Sequence, residues 1–235
     1  GSRHHGRTTG RTPSLIAVMP PISLPHPFIA IEGNIGAGKT TLSRMLAADF
    51  DLRLILEQFT DNPFLPHFYE QPERYAFPVE LFFMTERHKQ LQEELSKRDL
   101  FQQSIVADYF FVKTLLFARR NLNEAEYRLF QRLFHLLNAH FPQPDLLVYL
   151  HRPVDRLLEQ IRRRGRHIER AINPDYLAGI QQAYFDFFRT QETLPILVLE
   201  LEDADFELNE AHYRRIVALL GRDYGPGMHR EKLEN

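Results

Sequence analysis

The stretch that decides the fold is Gly33-Asn34-Ile35-Gly36-Ala37-Gly38-Lys39-Thr40, whose spacing is Gly-x-x-x-x-Gly-Lys-Thr. It follows the apolar run Phe28-Ile29-Ala30-Ile31 and opens into Thr41-Leu42-Ser43-Arg44-Met45-Leu46, which has a helical pattern. A strand, a glycine-rich loop and a helix in this order are the setting in which such a loop binds a triphosphate. A plain glycine turn does not require both flanking elements. The stretch therefore predicts a phosphate-binding loop.

The residues of this loop have separate tasks in that interpretation. Glycines let backbone amides face phosphate oxygens, and the start of the helix adds partial positive charge. Lys39 is expected to neutralise the β- and γ-phosphates of ATP, and the Thr40 hydroxyl is expected to ligate Mg²⁺. The predicted ATP contacts in the loop are Gly33, Asn34, Ile35, Gly36, Ala37, Gly38, Lys39, Thr40 and Thr41.

The composition limits the classes of protein that can carry this loop. The 235 residues, 43% of them hydrophobic, suffice for one buried core. The formal charge of -2 gives no general attraction to a nucleic acid polymer or an anionic membrane, so we expect a small-molecule nucleotide. The sequence has no cysteine, which excludes disulfides and thiolate chemistry and is compatible with the cytoplasm. No apolar run reaches the roughly 18 residues of a membrane span, so we expect a soluble protein.

Short apolar runs alternate with longer segments of helical period, the pattern of a parallel sheet covered by helices. We predict a three-layer α/β fold of the P-loop kinase type with a five-stranded parallel sheet. The predicted strands are 28–32, 52–57, 104–108, 145–150 and 196–201, and the predicted helices are 38–49, 73–95, 111–120, 124–139, 154–164, 174–190 and 209–220. Residues 1–27 are interpreted as a disordered leader or expression remnant, 28–223 as one domain and 224–235 as a C-terminal tail.

A phosphate-binding loop alone does not separate kinases from GTPases or transport ATPases. The sequence contains neither the Asn-Lys-x-Asp nor the Asp-x-x-Gly signature of a GTPase, and no Leu-Ser-Gly-Gly motif of a transport ATPase. The second predicted strand ends in Glu57, and strand carboxyl ends in open α/β sheets face the ligand crevice. A carboxylate there is suited to accept a proton from an attacking hydroxyl. From position alone, a general base and an ordinary exposed acid are equally good interpretations.

The region after Glu57 resembles the deoxyribonucleoside kinase family. The resemblance is carried by the stretch from Leu56 to Leu65, by Phe68-Tyr69-Glu70 and by the stretch from Tyr75 to Leu81, and it extends over roughly residues 28–201. It implies transfer of the ATP γ-phosphate to the 5′-hydroxyl of a deoxynucleoside in nucleotide salvage. It also implies a homodimer.

The resemblance further implies roles for individual residues. Glu57 matches the catalytic base, Glu80 the position that reads the nucleobase, and Asp108 the acid after the third strand. Tyr69 and Glu169 match the residues that bind the sugar. Because Asp108 ends a strand beside the loop, we also expect it to reach the water shell of a Mg²⁺ ion held by Thr40.

An arginine-rich lid is implied by the pattern Arg162-x-Arg164-x-Arg166-x-x-Glu169 around Gly165. Guanidinium groups on a mobile segment could close over the transferring phosphoryl group and exclude water. We expect Arg162 and Arg164 to contact ATP, and Arg164 and Arg166 to hold charge during catalysis. A solvated basic helix end is the alternative, whereas the near-neutral total charge disfavours a nucleic-acid patch.

Two positions depart from the family pattern. Tyr109 stands where the family usually has an arginine, and Lys113, one helical turn on, could replace that cation or be a solvated lysine. Glu80 stands where the family usually has a glutamine. An amide suits the cytosine or adenine edge, whereas an ionised carboxylate only accepts hydrogen bonds and suits the N1–H and N2–H donors of guanine.

Two further residues support the guanine interpretation. Arg87 lies two helical turns after Glu80 and could meet guanine O6 or N7, while Phe83 could stack on the base. An intrahelical ion pair between Glu80 and Arg87 beside a core aromatic is an equally good alternative. We therefore expect a purine substrate, deoxyguanosine first and deoxyadenosine second.

Two other functions fit parts of the sequence. A nucleoside monophosphate kinase shares the sheet, the loop and the lid, but its acceptor carries a dianion that Glu57 would repel. A nucleotide-dependent switch or binding module would use Glu57 and the lid arginines to bind a partner protein. Nucleoside-dependent turnover distinguishes an enzyme from such a module.

Overall fold

The fold is a parallel sheet with helices on both faces. The structure is a computed structural model that describes residues 23–58, 61–96, 103–139, 141–165 and 172–233. The strands within these residues are β1 (Phe28–Gly33), β2 (Arg53–Ile55), β3 (Ile105–Ala107), β4 (Leu146–His151), β5 (Pro195–Glu200) and β6 (Gly227–Lys232). They lie in the order β2-β3-β1-β4-β5-β6, and all neighbouring pairs are parallel.

The predicted helices agree with those of the structure to within two residues at each end. The helices are α1 (Lys39–Phe50), α2 (Leu65–Glu70), α3 (Pro72–Ser96), α4 (Lys113–Asn121), α5 (Glu124–Asn138), α6 (Val154–Arg164), α7 (Pro174–Arg189) and α8 (Glu210–Leu220). Several ends have the expected signals: Asn123 and Asn173 cap α5 and α7, and Gly165 ends α6 in a left-handed conformation. The short α2 was not predicted, because its six residues have no buried position and hence no helical period.

The three predicted layers are confirmed by the two sides of β1. Phe28 and Ala30 pack in a core formed with α3, α4, α5 and α7, whereas Ile29 and Ile31 pack in a core formed with α1, α6 and α8. Alternate residues of a strand point to opposite faces, so a strand covered on both faces is apolar throughout. This burial on both faces explains the continuous apolar runs of the central strands.

The prediction of five strands is wrong, because the described sheet has a sixth. Residues 224–235 were interpreted as a tail, but Gly227–Lys232 forms β6 and pairs in parallel with β5. The sequence Gly-Met-His-Arg-Glu-Lys has no apolar run because β6 is an edge strand whose residues are half-buried or exposed.

Part of the predicted leader also packs on the domain. His26 is buried, its Nε2 lies 2.9 Å from the carbonyl oxygen of Arg222, and Leu24 packs against the core on the α1 side. Pro27 accepts a backbone hydrogen bond from Ile105 at the start of β3. The ordered domain therefore begins before Phe28.

Candidate active site

The site lies where the carboxyl ends of β1, β2 and β3 meet. The strand order reverses at β1, which has β3 on one side and β4 on the other, and such a switch point opens a crevice above the sheet. The phosphate-binding loop follows β1, Glu57 follows β2 and Asp108 follows β3. The topology thus brings together three segments that are far apart in the sequence.

Glycine is required at two positions of the phosphate-binding loop. Gly36 has a φ of +81°, and a Cβ there would lie 3.1 Å from Ile161 of α6. Gly38 has a φ of +99°, and a Cβ there would lie 2.9 Å from Cζ of Phe206. A left-handed conformation strains other residues, and neither position has room for a side chain. The loop is therefore packed against α6 and against residue 206.

Side chains hold the loop from beneath. Asn34 is buried; its Nδ2 donates to the Leu177 carbonyl oxygen at 2.8 Å, and its Oδ1 accepts from the Ile35 amide at 2.9 Å. Lys39 Nζ donates to the Gly33 carbonyl oxygen at 3.1 Å. Burial, together with the charge of Lys113, lowers the pKa of Lys39 to about 8. An anionic phosphate beside this ammonium group would oppose that lowering.

Thr40 and Asp108, the predicted Mg²⁺ ligands, lie together. The Thr40 hydroxyl donates to Oδ2 of Asp108 at 2.8 Å, and Oδ1 of Asp108 accepts from the backbone amide of Glu57 at 2.7 Å. A hydroxyl and a carboxylate side by side are hard oxygen ligands of the kind that Mg²⁺ binds, together with substrate phosphates and water. No group of three or more His, Asp or Glu side chains in the described residues, at this site or elsewhere, could hold a metal ion.

Glu57 is held between two cations. Its Oε1 accepts from Nε of Arg87 at 2.9 Å, and its Oε2 accepts from Nζ of Lys113 at 2.7 Å. Arg87 also donates through Nη1 to the Thr114 hydroxyl at 3.1 Å. Only 11% of the Glu57 side chain is exposed, so these charge pairs are poorly screened by water.

The cations determine the protonation state of Glu57. Burial acts to raise the pKa of its carboxyl group, but Lys113, Arg87 and Lys39 outweigh burial and hold the pKa well below its ordinary range. Glu57 is consequently ionised at neutral pH. Lys113 thus supplies a cation beside the carboxylate, although Tyr109 occupies the position of the family arginine.

Glu80 and Arg87 do not form the intrahelical ion pair considered as an alternative. Glu80 is 4% exposed, and its Oε1 accepts from Nδ2 of Asn121 at 2.8 Å. Burial raises the pKa of Glu80, against the effects of Asn121 and Arg87. The Arg87 guanidinium lies 5.5 Å from the centroid of the Phe83 ring and turns to Glu57. Glu80 is also within electrostatic range of Arg87 and Tyr176.

Of the remaining predicted site residues, some lie in the described part of the chain and others do not. Tyr69 lies on α2 and is 64% exposed, and the charge of Glu80 acts on the nearby Tyr176. Arg162 and Arg164 are exposed at the end of α6, within one turn of Ile161, which would lie 3.1 Å from a Cβ on Gly36 of the phosphate-binding loop. Arg166 and Glu169 lie outside the described residues.

Sequence reasoning missed residues that organise the site, among them Glu32, Thr114 and Asn121. Glu32 is completely buried in β1 and accepts hydrogen bonds from the Phe110 amide and, at 2.9 Å, from the Tyr184 hydroxyl. A charged residue inside an apolar strand was a signal that could have identified it. Thr114 and Asn121, the partners of Arg87 and Glu80, have no such signal, because their contacts depend on how α3 packs against α4.

Comparison with known proteins agrees with this geometry. A model of the deoxynucleoside kinase family matches residues 29–223. The chain belongs to this family. It is therefore a phosphotransferase that acts on deoxynucleosides, and the interpretation as a nucleotide-dependent switch or binding module loses its support.

Individual relatives of this deoxynucleoside kinase differ in substrate. The deoxyguanosine kinase of Bacillus subtilis is 36% identical over 196 residues, which cover 82% of this chain and 95% of the relative. The deoxyadenosine/deoxycytidine kinase of the same organism is 28% identical over 193 residues, which cover 80% and 89%. A structure of the deoxyadenosine kinase from M. mycoides with bound dATP superposes with a TM-score of 0.65 at 22% identity, covering 83% of this chain and 98% of that one, which confirms the fold. In the described part of this kinase, every helix is too short or too polar to cross a bilayer.

Proposed function

We propose that this deoxynucleoside kinase transfers the γ-phosphate of ATP to the 5′-hydroxyl of a purine deoxynucleoside, with deoxyguanosine preferred and deoxyadenosine second. The observation that carries this proposal is the ionised Glu57 carboxylate, held by Arg87 and Lys113 at the strand end beside the phosphate-binding loop. Such a carboxylate can accept a hydrogen bond and then a proton from an attacking hydroxyl.

The low pKa of Glu57 is compatible with this role. Phosphoryl transfer passes through a loose transition state, so the hydroxyl needs orientation more than early deprotonation. A 5′-hydroxyl that takes the place of Lys113 or Arg87 on one carboxylate oxygen weakens a charge pair, and this raises the pKa of Glu57 as the reaction needs. Lys39 and the exposed Arg162 and Arg164 would stabilise the charge of the phosphates.

The metal proposed for this site is Mg²⁺. Thr40 and Asp108 would hold it, and when bound it supplies positive charge to the β- and γ-phosphates. The contact between the Thr40 hydroxyl and Asp108, at 2.8 Å, supports the assignment because it puts both oxygens at the end of the phosphate-binding loop.

The charge of Glu57 supports a neutral acceptor. A nucleoside monophosphate would place a dianion beside this carboxylate and beside Asp108, and the repulsion would be strong at an 11% exposed site. A nucleoside hydroxyl carries no such penalty. This difference favours nucleoside phosphorylation over monophosphate phosphorylation.

The base preference rests on Glu80. Guanine offers N1–H and N2–H to a carboxylate, and two such donors would oppose the effect of burial on the pKa of Glu80. The 36% identity to a deoxyguanosine kinase supports the same choice. Tyr69 and Glu169 would orient the sugar, and Phe83 would stack on the base.

A substrate panel tests the proposal. The purified chain is incubated with ATP, Mg²⁺ and each of the four deoxynucleosides or their monophosphates, and ADP release is measured. We expect turnover with the nucleosides and the highest kcat/KM with deoxyguanosine. Comparable kcat/KM with thymidine would contradict the purine preference, and the absence of nucleoside-dependent ADP release would contradict the kinase activity.

The assembly and location of the enzyme are also proposed, as a homodimer in the cytoplasm. Leu129 and Leu136 on α5 are 50% and 72% exposed and lie seven residues apart, hence on one helix face. A dimer would cover such a face. Sedimentation equilibrium at micromolar concentration measures the oligomeric state, and a monomer there would contradict this part of the proposal.

A further inference from the structure

We infer that Gln90 of α3 is a positioning residue for Glu57, an inference that rests on the proposed role of Glu57 as the catalytic base. The Gln90 side chain makes hydrogen bonds to the backbone on both sides of Glu57. Nε2 donates to the Leu56 carbonyl oxygen, and Oε1 lies 3.4 Å from the Gln58 amide that donates to it. Gln90 therefore binds the backbone on either side of Glu57, the residue that faces the phosphate-binding loop.

These two hydrogen bonds of Gln90 are possible because β2 is an edge strand. Backbone groups of alternate residues point to opposite sides of a strand. On the inner side, the Glu57 amide donates to Oδ1 of Asp108 at 2.7 Å, and the Ile55 carbonyl oxygen accepts from the Asp108 amide at 3.0 Å. On the outer side no strand of the described residues pairs with β2, which lies at the edge of the sheet. The Gln90 amide supplies there the donor and the acceptor that a neighbouring strand would supply.

Two other residues of α3 secure the same segment. Arg87 donates to Glu57 at 2.9 Å, and Glu94 accepts from Arg53, at the start of β2, at 2.8 Å. Residues 87, 90 and 94 are spaced by three and four, so they lie on one face of the helix. This helix face runs beside the segment from Arg53 to Glu57. Its contacts at both ends of the segment hold the carboxyl end of β2 in place.

Tyr109 gives the Gln90 amide a defined orientation. The Tyr109 hydroxyl is buried and donates to Oε1 of Gln90 at 3.1 Å. A flipped amide would point its NH₂ group at two donors and its oxygen at the Leu56 carbonyl oxygen, so the network permits one orientation. The residue that replaces the family arginine thus contributes through Gln90 to the placement of Glu57.

The test replaces Gln90 by a residue of the same shape. Gln90→Glu can still accept from Tyr109 and Gln58, but it cannot donate to the Leu56 carbonyl oxygen, and it adds a second carboxylate near Glu57. We expect kcat for the nucleoside to fall about 10- to 100-fold, because a small displacement of a reacting group has effects of this size, while KM for ATP stays near that of the wild type. The acid limb of the pH profile of kcat should move to higher pH, since the new carboxylate raises the pKa of Glu57.

A matched control and a second variant complete the experiment. Gln92→Glu makes the same change at an exposed position of the same helix and should leave kcat and its pH profile unchanged. Tyr109→Phe removes one hydroxyl group and should lower kcat several-fold without moving KM for ATP. An unchanged kcat in a folded Gln90→Glu variant would overturn the inference.

If Gln90→Glu does not fold, an unchanged kcat in Tyr109→Phe overturns the inference instead. Failure of the proposed function is separate, since in that case the wild-type chain itself releases no ADP in the presence of nucleosides.

Discussion

The two halves of the site are built in different ways. The donor half, around the phosphate-binding loop, comes from consecutive residues whose backbone conformation is set by Gly36 and Gly38. The acceptor half comes from side chains on β2, α3 and α4, and its central group is the Glu57 carboxylate between Arg87 and Lys113. One half depends on local backbone geometry, and the other depends on a balance of buried charges.

This difference determines what each half can tolerate. A backbone loop presents the same amides for any nucleoside triphosphate, so it carries little information about the reaction. The acceptor half distinguishes a neutral hydroxyl from a phosphate and one base from another, because its charges are unscreened. Substitutions in the acceptor half should therefore change turnover and selectivity, whereas substitutions in the donor half should change nucleotide binding.

The largest effect is expected for Glu57→Gln. The amide keeps the size of the side chain but removes the proton acceptor, so kcat should fall about 10²- to 10⁴-fold while ATP still binds. Steady-state kinetics and ATP titration calorimetry measure both quantities. The control is Glu192→Gln at an exposed position, which should behave as the wild type. A near-normal kcat in Glu57→Gln would remove Glu57 from its role as base.

The next largest effect is expected for Gly38→Ala in the donor half. Alanine is strained at a φ of +99°, and its Cβ would lie 2.9 Å from Phe206. We expect ATP affinity to fall at least about tenfold, because the left-handed conformation alone costs about 1–2 kcal/mol. Gly221→Ala is the matched control, since a Cβ there would make ordinary contacts from 3.4 Å outward. Equal ATP affinity in both variants would contradict the account of the loop.

Lys113→Met tests the charge balance of the acceptor half through the pH dependence of activity. In the wild type the depressed pKa keeps Glu57 ionised down to low pH. Without Lys113 the pKa rises, so activity should be lost at a higher pH as the solution is acidified, with kcat/KM about tenfold lower at neutral pH. The pH profile of kcat/KM measures this shift, and Lys89→Met, exposed on α3, is the control. An unmoved acid limb would show that Lys113 does not set the protonation of Glu57.

The smallest effect, on selectivity alone, is expected for Glu80→Gln. The amide loses one acceptor for guanine and gains a donor that suits adenine and cytosine, so the ratio of kcat/KM for deoxyguanosine to that for deoxyadenosine should fall about tenfold. Asn121 can bond either side chain, which limits structural damage. The control is Glu86→Gln on the same helix. An unchanged ratio would exclude Glu80 from base recognition.

The sequence predicted the donor half better than the acceptor half, for a physical reason. The spacing from Gly33 to Thr40 sets the local conformation, and Glu57 and Asp108 were found because each ends an apolar strand. Lys113 was identified as a possible cation, but its contact with Glu57 depends on the packing of α4 against the sheet. The partners Thr114 and Asn121 were missed because their contacts depend on the packing of α3 against α4.

The fold, like the site, could be predicted from the sequence only in part. Central strands and amphipathic helices have a periodic pattern because they are buried, and they were predicted closely. The edge strand β6 is half-exposed, so its polar sequence gave no strand signal. Gln90 illustrates the point within the site, since a glutamine on a long helix has no pattern that indicates a contact with the edge of β2.

The central claim is that the acceptor half receives a neutral nucleoside hydroxyl. It is tested most directly by kcat/KM for deoxyguanosine and for deoxyguanosine monophosphate, measured side by side with the same ATP and Mg²⁺ concentrations. We expect ADP formation with deoxyguanosine, and when the γ-phosphate of ATP is labelled, the label should appear at the 5′ position of the product. Because charge repulsion is strong at a partly buried site, kcat/KM should be at least about 100-fold lower with the monophosphate. Equal or faster ADP formation with the monophosphate would contradict the claim.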